Sequence, residues 1–512
     1  MPRCSPRLAT FLVAAVVALS FAYDLMRMPV QVSDALGEII DAQASPSVWA
    51  SFAGSTDEEA YLRPLRIAQI KALFDLAGGQ HYRLVYRGFH AALLVATVLL
   101  FANALRVRTW GDASAAVFAL TVLTGIHTFA GTVRESFPIN HFLEIAFFCL
   151  VALNLAQSRG GWWVDALAVL VLVAASLTLE SGLLVWVVVV AAWIAGLRLP
   201  RASDSESRGG ISRWGVTAVT VVFLAYLGAR FFLLSTGTPA LDERAAGFGF
   251  AVLDTSELEA RFGGTPVVFY AYNVIASVMS VLFVEPQNGV FLLTRQIVQD
   301  GEILPRLWLP VVSSVATTAL IVLAAVSRWR RRPVPPSLFR SYGGPRKGHA
   351  PTTREPHHAD AYFLVFPAVL VANAVLSYAY TKDEIVSVAG VFYALAAYAA
   401  ARYAIANPPA FAKATAGKPS RVIVRAVAGV LIVALAGAWA FRSVGTHHQL
   451  RVQAFKHRND WERLPQERYR DDGAAEEGRA AALVGQLRDA AILMRGMNPH
   501  LLPRWVNAWW TE

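Results

Sequence analysis

Charged and imidazole side chains that adjoin long apolar runs are the residues of this sequence best suited to chemistry. Such groups are costly near the depth of a bilayer and mark functional positions there. Asp34 and Arg63 lie in a long polar stretch, Ser33 to His90, between the first two apolar runs, and His90 opens the second. Glu135 follows the third run, Glu180 sits at the hinge between the fifth and sixth, and Lys382-Asp383-Glu384 lies between the tenth and eleventh. Carboxylates and cations gathered at one membrane face suit a transfer in which a carboxylate deprotonates an acceptor while cations hold an anionic leaving group. Each residue also has a plainer reading. Glu180 marks the turn of a hairpin, Glu135 pairs with Arg134 beside it, and Lys382-Asp383-Glu384 is a solvated turn. Asp34 has Glu38 and Asp41 close by, and Asp57-Glu58-Glu59 reads as a solvated helix start. His90, His127 and His141 lack metal-ligand spacing, so a structural role is the default for the last two.

The elements that must position these groups are membrane helices. The chain of 512 residues is 55% hydrophobic and 16% charged, with a mean hydropathy of +0.44. Soluble domains average about 45–50% apolar and about 25% charged, which excludes a soluble protein. Apolar runs fall at 8–23, 89–106, 113–127, 139–157, 162–179, 182–197, 215–234, 265–284, 307–327, 361–379, 385–405 and 421–441. One crossing takes about 20 residues. Arg3 and Arg7 give the first run the form of a secretory signal, but no small-x-small cleavage site follows, so a retained helix is expected.

The formal net charge is +10, and its basic residues cluster in short connections. These are Arg106 and Arg108, Arg159, Arg198 to Arg213, Arg328 to Arg332, and Lys413 to Arg421. The positive-inside rule accounts for them with no nucleic-acid partner. It places the N-terminus inside and the loops 24–88, 128–138, 180–181, 235–264 and 380–384 outside. The parity of crossings then makes 265–284 re-entrant, interfacial, or paired with the short apolar piece after Pro286. The expected fold is an all-α polytopic membrane protein of about 11 transmembrane helices plus one re-entrant or interfacial segment.

Residues 1–441 form one transmembrane domain in this scheme. It contains the first external loop (24–88), a second large external region (235–306) and an inner linker (328–360) whose later part is rich in Pro, Gly, Arg and His. Residues 442–512 form an external tail whose Trp461, Trp505, Trp509 and Trp510 suit the membrane interface. Cys4 and Cys149 provide neither a disulfide framework nor a thiolate metal site. Gly417-Lys418 lacks the earlier glycine and the strand–helix setting of a phosphate loop.

Several of these segments together resemble a family. Tyr61-Leu62-Arg63-Pro64-Leu65, then Gly78-Gly79, then Tyr82-Arg83-Leu84-Val85-Tyr86, then His90-Ala91-Ala92, is similar to the first-loop pattern of GT-C-fold glycosyltransferases. The likeness is to the protein O-mannosyltransferase type and the tetratricopeptide-bearing O-mannosyltransferases. Asp34-Ala35-Leu36-Gly37-Glu38-Ile39, followed by Trp49, resembles their acidic motif, and Leu179-Glu180-Ser181-Gly182 their Lys-Glu-Ser/Thr-Gly motif. The sequence differs in having a single Asp with Ala35 second, Leu179 for the motif lysine, Arg83 for the His, Tyr86 for the Asn, and Leu62 inserted before Arg63.

The resemblance implies a GT-C-like fold and an inverting transferase in a bacterial inner (plasma) membrane. Its donor would be a polyprenyl-phosphate-linked sugar and its acceptor a hydroxyl on a protein, lipid or glycan at the outer face. Asp34 would be the general base, and Arg63 with Lys382 would hold the lipid phosphate. His90, Glu135 and Glu180 complete the expected substrate-binding set. Neither a cofactor nor a divalent metal is specified. Two other classes stay open: a multi-span transporter or lipid flippase, and a catalytically inactive GT-C relative serving as an assembly partner.

Overall fold

The first apolar run shows how these segments become helices. Ser5 accepts a hydrogen bond from the Leu8 amide at 3.2 Å, and Pro6 stands at the first helical position, where a missing N–H costs nothing. The helix that follows, α1, spans Pro6–Arg27. The computed structural model describes residues 5–28, 41–42, 44–54, 62–78, 81–127, 129, 140–197, 210–234, 255–262, 267–283, 289–330, 358–379, 383–407, 427, 429–448 and 451–452.

Every regular element among the described residues is helical. After α1 come α2 (Val48–Gly54), α3 (Pro64–Ala77), α4 (Tyr82–Ala104), α5 (Trp110–Gly125), α6 (His141–Ala156) and α7 (Trp162–Thr178). A 3-10 turn (Glu180–Leu183) leads into α8 (Leu184–Ile194), and α9 (Arg213–Gly228) ends in a π-helical turn (Ala229–Leu233). Next are α10 (Thr255–Phe262), α11 (Val267–Leu282), α12 (Gly289–Asp300), α13 (Pro305–Arg330), α14 (Tyr362–Leu376), α15 (Ser387–Ala406) and α16 (Gly429–His448). Among the described residues seven helices are long and apolar enough to cross a membrane: α1, α4, α9 with its π turn, α13, α14 with the turn before it, α15 and α16. The segments 141–156, 162–178, 180–194 and 267–282 are apolar but shorter. The chain is an α-helical membrane protein.

In each apolar run the described residues are mainly helical, yet several boundaries move. The stretch read as one external loop contains α2 and α3. Pro64 opens α3, and Gly78, at φ 63°, ends it in the left-handed conformation that glycine takes without penalty. Helix α4 begins at Tyr82 rather than at the apolar boundary near 89, because hydropathy marks where apolar residues start and not where the helix does. His90 therefore does not open a span at the surface. It lies eight residues into α4, about 12 Å along the axis at 1.5 Å per residue, and only 1% of it is exposed. Likewise α16 continues to His448, so the expected tail starts inside a helix.

Helix α15 is the centre of the bundle, packed on α5, α6, α13 and α14, with 17 of its 20 residues buried. Its alanines let neighbouring backbones approach closely. Polar contacts tie the helix ends into two sets. One end joins Arg7 to Asn103 (3.3 Å), Arg106 to Gln157 (2.9 Å), Arg328 to Asp360 (2.9 Å) and Arg402 to Asp112 (2.6 Å). The other joins Asp24 to His447 (2.9 Å), Asn273 to the Tyr378 carbonyl (2.8 Å), and Arg63 to Glu180 (2.7 Å). The first set gathers the basic connections of the sequence, the second the stretches expected outside. Helix α11 passes Tyr378 at Asn273 and stops inside the bundle, where the Leu282 carbonyl accepts a hydrogen bond from Thr318. Thr318 is 13 residues into α13, about 20 Å from its start.

Candidate functional site

Helix α3 supplies one wall of the site. Arg63 stands at its N-cap, and Arg66 and Gln69, three residues apart, are neighbours on its surface. The Tyr86 hydroxyl of α4 fixes the helix by donating to the Ile70 carbonyl at 2.9 Å. Opposite stands the 3-10 turn bearing Glu180. Its position depends on Gly182, where a Cβ would run into the carbonyl of Ala175 at the end of α7. With glycine there the turn lies flat against α7, and Glu180 faces α3.

Arg63 grips Glu180 with two nitrogens, Nε at 3.0 and 3.2 Å from the two oxygens and Nη2 at 2.7 Å from Oε2. The residues are 117 positions apart. A second guanidinium arrives from α9: Arg230 Nη1 lies 3.4 Å from Glu180 Oε1. Arg230 belongs to the π-helical turn, an irregularity common at functional sites, and is 4% exposed against 23% for Arg63 and 21% for Glu180. Tyr226, one turn earlier on α9, is within electrostatic reach of all three. Two cations fixed on one carboxylate form a pre-set arrangement of N–H donors suited to an oxyanion.

A second cluster adjoins the first. Gln69 Nε2 donates to Glu144 Oε1 at 2.6 Å, and His141 Nδ1 lies 3.3 Å from Glu144 Oε2. Glu144 and His141 are each 3% exposed. Asn140 caps α6 by accepting from the Leu143 amide at 3.0 Å, and its Nδ2 lies 3.3 Å from His90 Nε2. Arg63 and Arg66 are both within electrostatic reach of His141, so the two clusters are neighbours. Gln69 Oε1 and His141 Nε2 are buried and have no hydrogen-bond partner among the described residues. Among the described residues no three His, Cys, Asp or Glu side chains converge as a metal site.

Arg63 and Glu180, both expected site residues, meet directly. His90 is near this site but joins Asn140 rather than the arginines. Asp34, Glu135 and Lys382 lie outside the described residues. Sequence reasoning missed Arg230, Gln69, Glu144 and the part played by His141. Arg230 and Glu144 carried one readable signal, the one Asp, Glu, Lys or Arg within an apolar run. Gln69 carried none. No family model, characterised protein or solved structure matches the chain.

Proposed function

We propose that this protein is a GT-C-like, inverting membrane glycosyltransferase that moves a sugar from a polyprenyl-phosphate donor to an acceptor hydroxyl. The observation that carries the reading is the convergence of Arg63 and Arg230 on Glu180 at one end of a membrane-embedded bundle. A lipid phosphate reaching that end meets two oriented guanidinium groups, and these stabilise the negative charge that grows on the phosphate as the glycosidic C–O bond breaks. Glu180 acts as the positioning residue, since it touches both arginines. Asp34 is the proposed general base, with His90, Glu135 and Lys382 as further donor- and acceptor-binding groups.

The topology proposed with this activity puts the Arg63–Glu180 end on the outer face of a bacterial plasma membrane and the basic end inside. The positive-inside rule supports that orientation. Helix α11 is then the re-entrant segment, entering and leaving on the outer side, and about 11 spans complete the bundle.

The test is transfer of label from a polyprenyl-phosphate-sugar pool into cell-envelope material, at matched membrane levels of each variant. Arg63→Ala and Arg230→Ala each remove charge-assisted hydrogen bonds worth about 1.5–3 kcal/mol, so kcat/KM falls about 10- to 100-fold. Asp34→Asn lowers the rate about 10²–10⁴-fold. Parent-like transfer by both arginine variants sinks the reading. One observation favours the transporter or flippase alternative: Glu144 and His141 are buried within an apolar helix, as in proton pathways. Proton or lipid movement in proteoliposomes without sugar transfer identifies that class.

A further inference from the structure

The Gln69–His141–Glu144 cluster has no part in the phosphate chemistry above, yet it is built as a binding site. A buried polar atom without a partner is uncommon in folded proteins and calls for an explanation. Here two of them, Gln69 Oε1 and His141 Nε2, belong to side chains whose other polar atoms are already fixed on Glu144. The carboxylate sets both orientations. With the Gln69 amide donating to Glu144, its oxygen is left as an acceptor. With the His141 Nδ1 proton directed to Glu144, Nε2 is left as an acceptor as well. A group that donates hydrogen bonds in more than one direction fits such a pair, as a polyhydroxylated ring does.

Location narrows the class further. Gln69 is six residues beyond Arg63, with Arg66 between them, about 9 Å along the α3 axis at 1.5 Å per residue. That is the scale of a hexose ring linked to a phosphate. A phosphate held at Arg63 and Arg230 places its sugar along α3, toward Gln69, His141 and Glu144. Resting on the glycosyltransferase reading, we propose that these three residues form the subsite for the hydroxyl groups of the donor sugar and set which sugar is accepted. They are specificity-determining groups, separate from the arginines that hold the phosphate.

The experiment uses the full chain in nanodiscs and two kinds of probe, a short-chain polyprenyl phosphate and the same lipid phosphate bearing glucose, mannose or galactose. Dissociation constants are measured for the parent and for Gln69→Ala, His141→Gln and Glu144→Gln, with monodisperse elution and unfolding temperature as folding controls. The parent is expected to bind one glycosylated probe more tightly than the bare phosphate. Each variant loses about 2- to 12-fold of that preference, the worth of one hydrogen bond of about 0.5–1.5 kcal/mol, while bare-phosphate affinity stays within about twofold. Gln69→Ala, at a half-buried position, keeps the test decisive if a buried variant fails to fold. Arg63→Ala is expected to weaken every probe in parallel. Variants that keep the parent's preference, or weaken bare and glycosylated probes equally, overturn the subsite. A parent that binds bare phosphate but prefers no glycosylated form overturns the subsite and leaves the phosphate site standing. A parent that binds neither overturns both proposals.

Discussion

The two ends of the bundle use the same residue types for different purposes. At the basic end, each of three arginines meets one side chain: Arg402 meets Asp112 across 290 residues, Arg328 meets Asp360, and Arg106 meets Gln157, which also donates to Tyr362 of α14. Asp112 also completes a capping box with Thr109 at the start of α5, so one carboxylate serves a helix end and an interhelical pair. At the opposite end two arginines share Glu180, and next to them Gln69 and His141 are oriented by Glu144 with polar atoms left over. Pairs of the first kind fasten helices together. Groups of the second kind are held in place for something else to bind. The difference teaches where chemistry sits in a chain whose charged residues are few.

Removing the central carboxylate from each end tests this difference most strongly. Glu180→Ala leaves Arg230 buried without that carboxylate, and breaking a buried pair in this way costs about 3–5 kcal/mol. Denaturant unfolding in detergent measures the loss. Asp112→Ala is also destabilising, but Arg402 is 21% exposed and reaches water more readily. Transfer per folded molecule is expected to collapse for Glu180→Ala and hold for Asp112→Ala; equal losses in both would erase the distinction between the ends. A smaller effect is expected from Gly182→Ala. The new methyl group meets the Ala175 carbonyl, and overpacking of this sort costs about 1–3 kcal/mol. Displacing the turn moves Glu180 off Arg63, so transfer falls although no polar group is lost; a variant with lowered stability and parent-like transfer would show that the turn's placement is not critical. The smallest effect belongs to Arg328→Ala. With Arg328 and Asp360 29% and 18% exposed, the pair resembles surface ion pairs worth about 0–1 kcal/mol. Transfer is expected to match the parent, and a large drop would draw the basic end into the mechanism.

Much of this architecture was legible in the sequence because long apolar runs dominate it, and the described residues of each are mainly helical. The hinge at Glu180 was also readable, since Glu180-Ser181-Gly182 interrupts two adjoining runs. What hydropathy hides is structure in polar stretches. Pro64 and Gly78 are ordinary start and stop signals for α3, but its apolar residues form no long run to draw attention to them. The placement of His90 at a surface failed for the related reason that a helix with aromatic and basic residues in its first turns does not begin at its apolar boundary. Arg230 and Glu144 were visible as lone charges in apolar runs. Their partners were not, because Gln69 and Glu144 are 75 residues apart and only tertiary packing brings them together.

The burial of α15 bears on how the protein is assembled. This helix is the least apolar of the seven long ones and the most enclosed. With little of its surface left for lipid, it gains less than the others from partitioning into a bilayer alone. Its compatible surroundings are other helices: the polar neighbours of Tyr393, namely the Ser314 carbonyl and Thr318, and Asp112 for Arg402. All three belong to segments made earlier in the chain. By the time α15 leaves the ribosome, α5 and α13 already stand ready to receive it. Its insertion is therefore a docking step that fills a slot among earlier helices, and their side chains, more than lipid, decide where it settles.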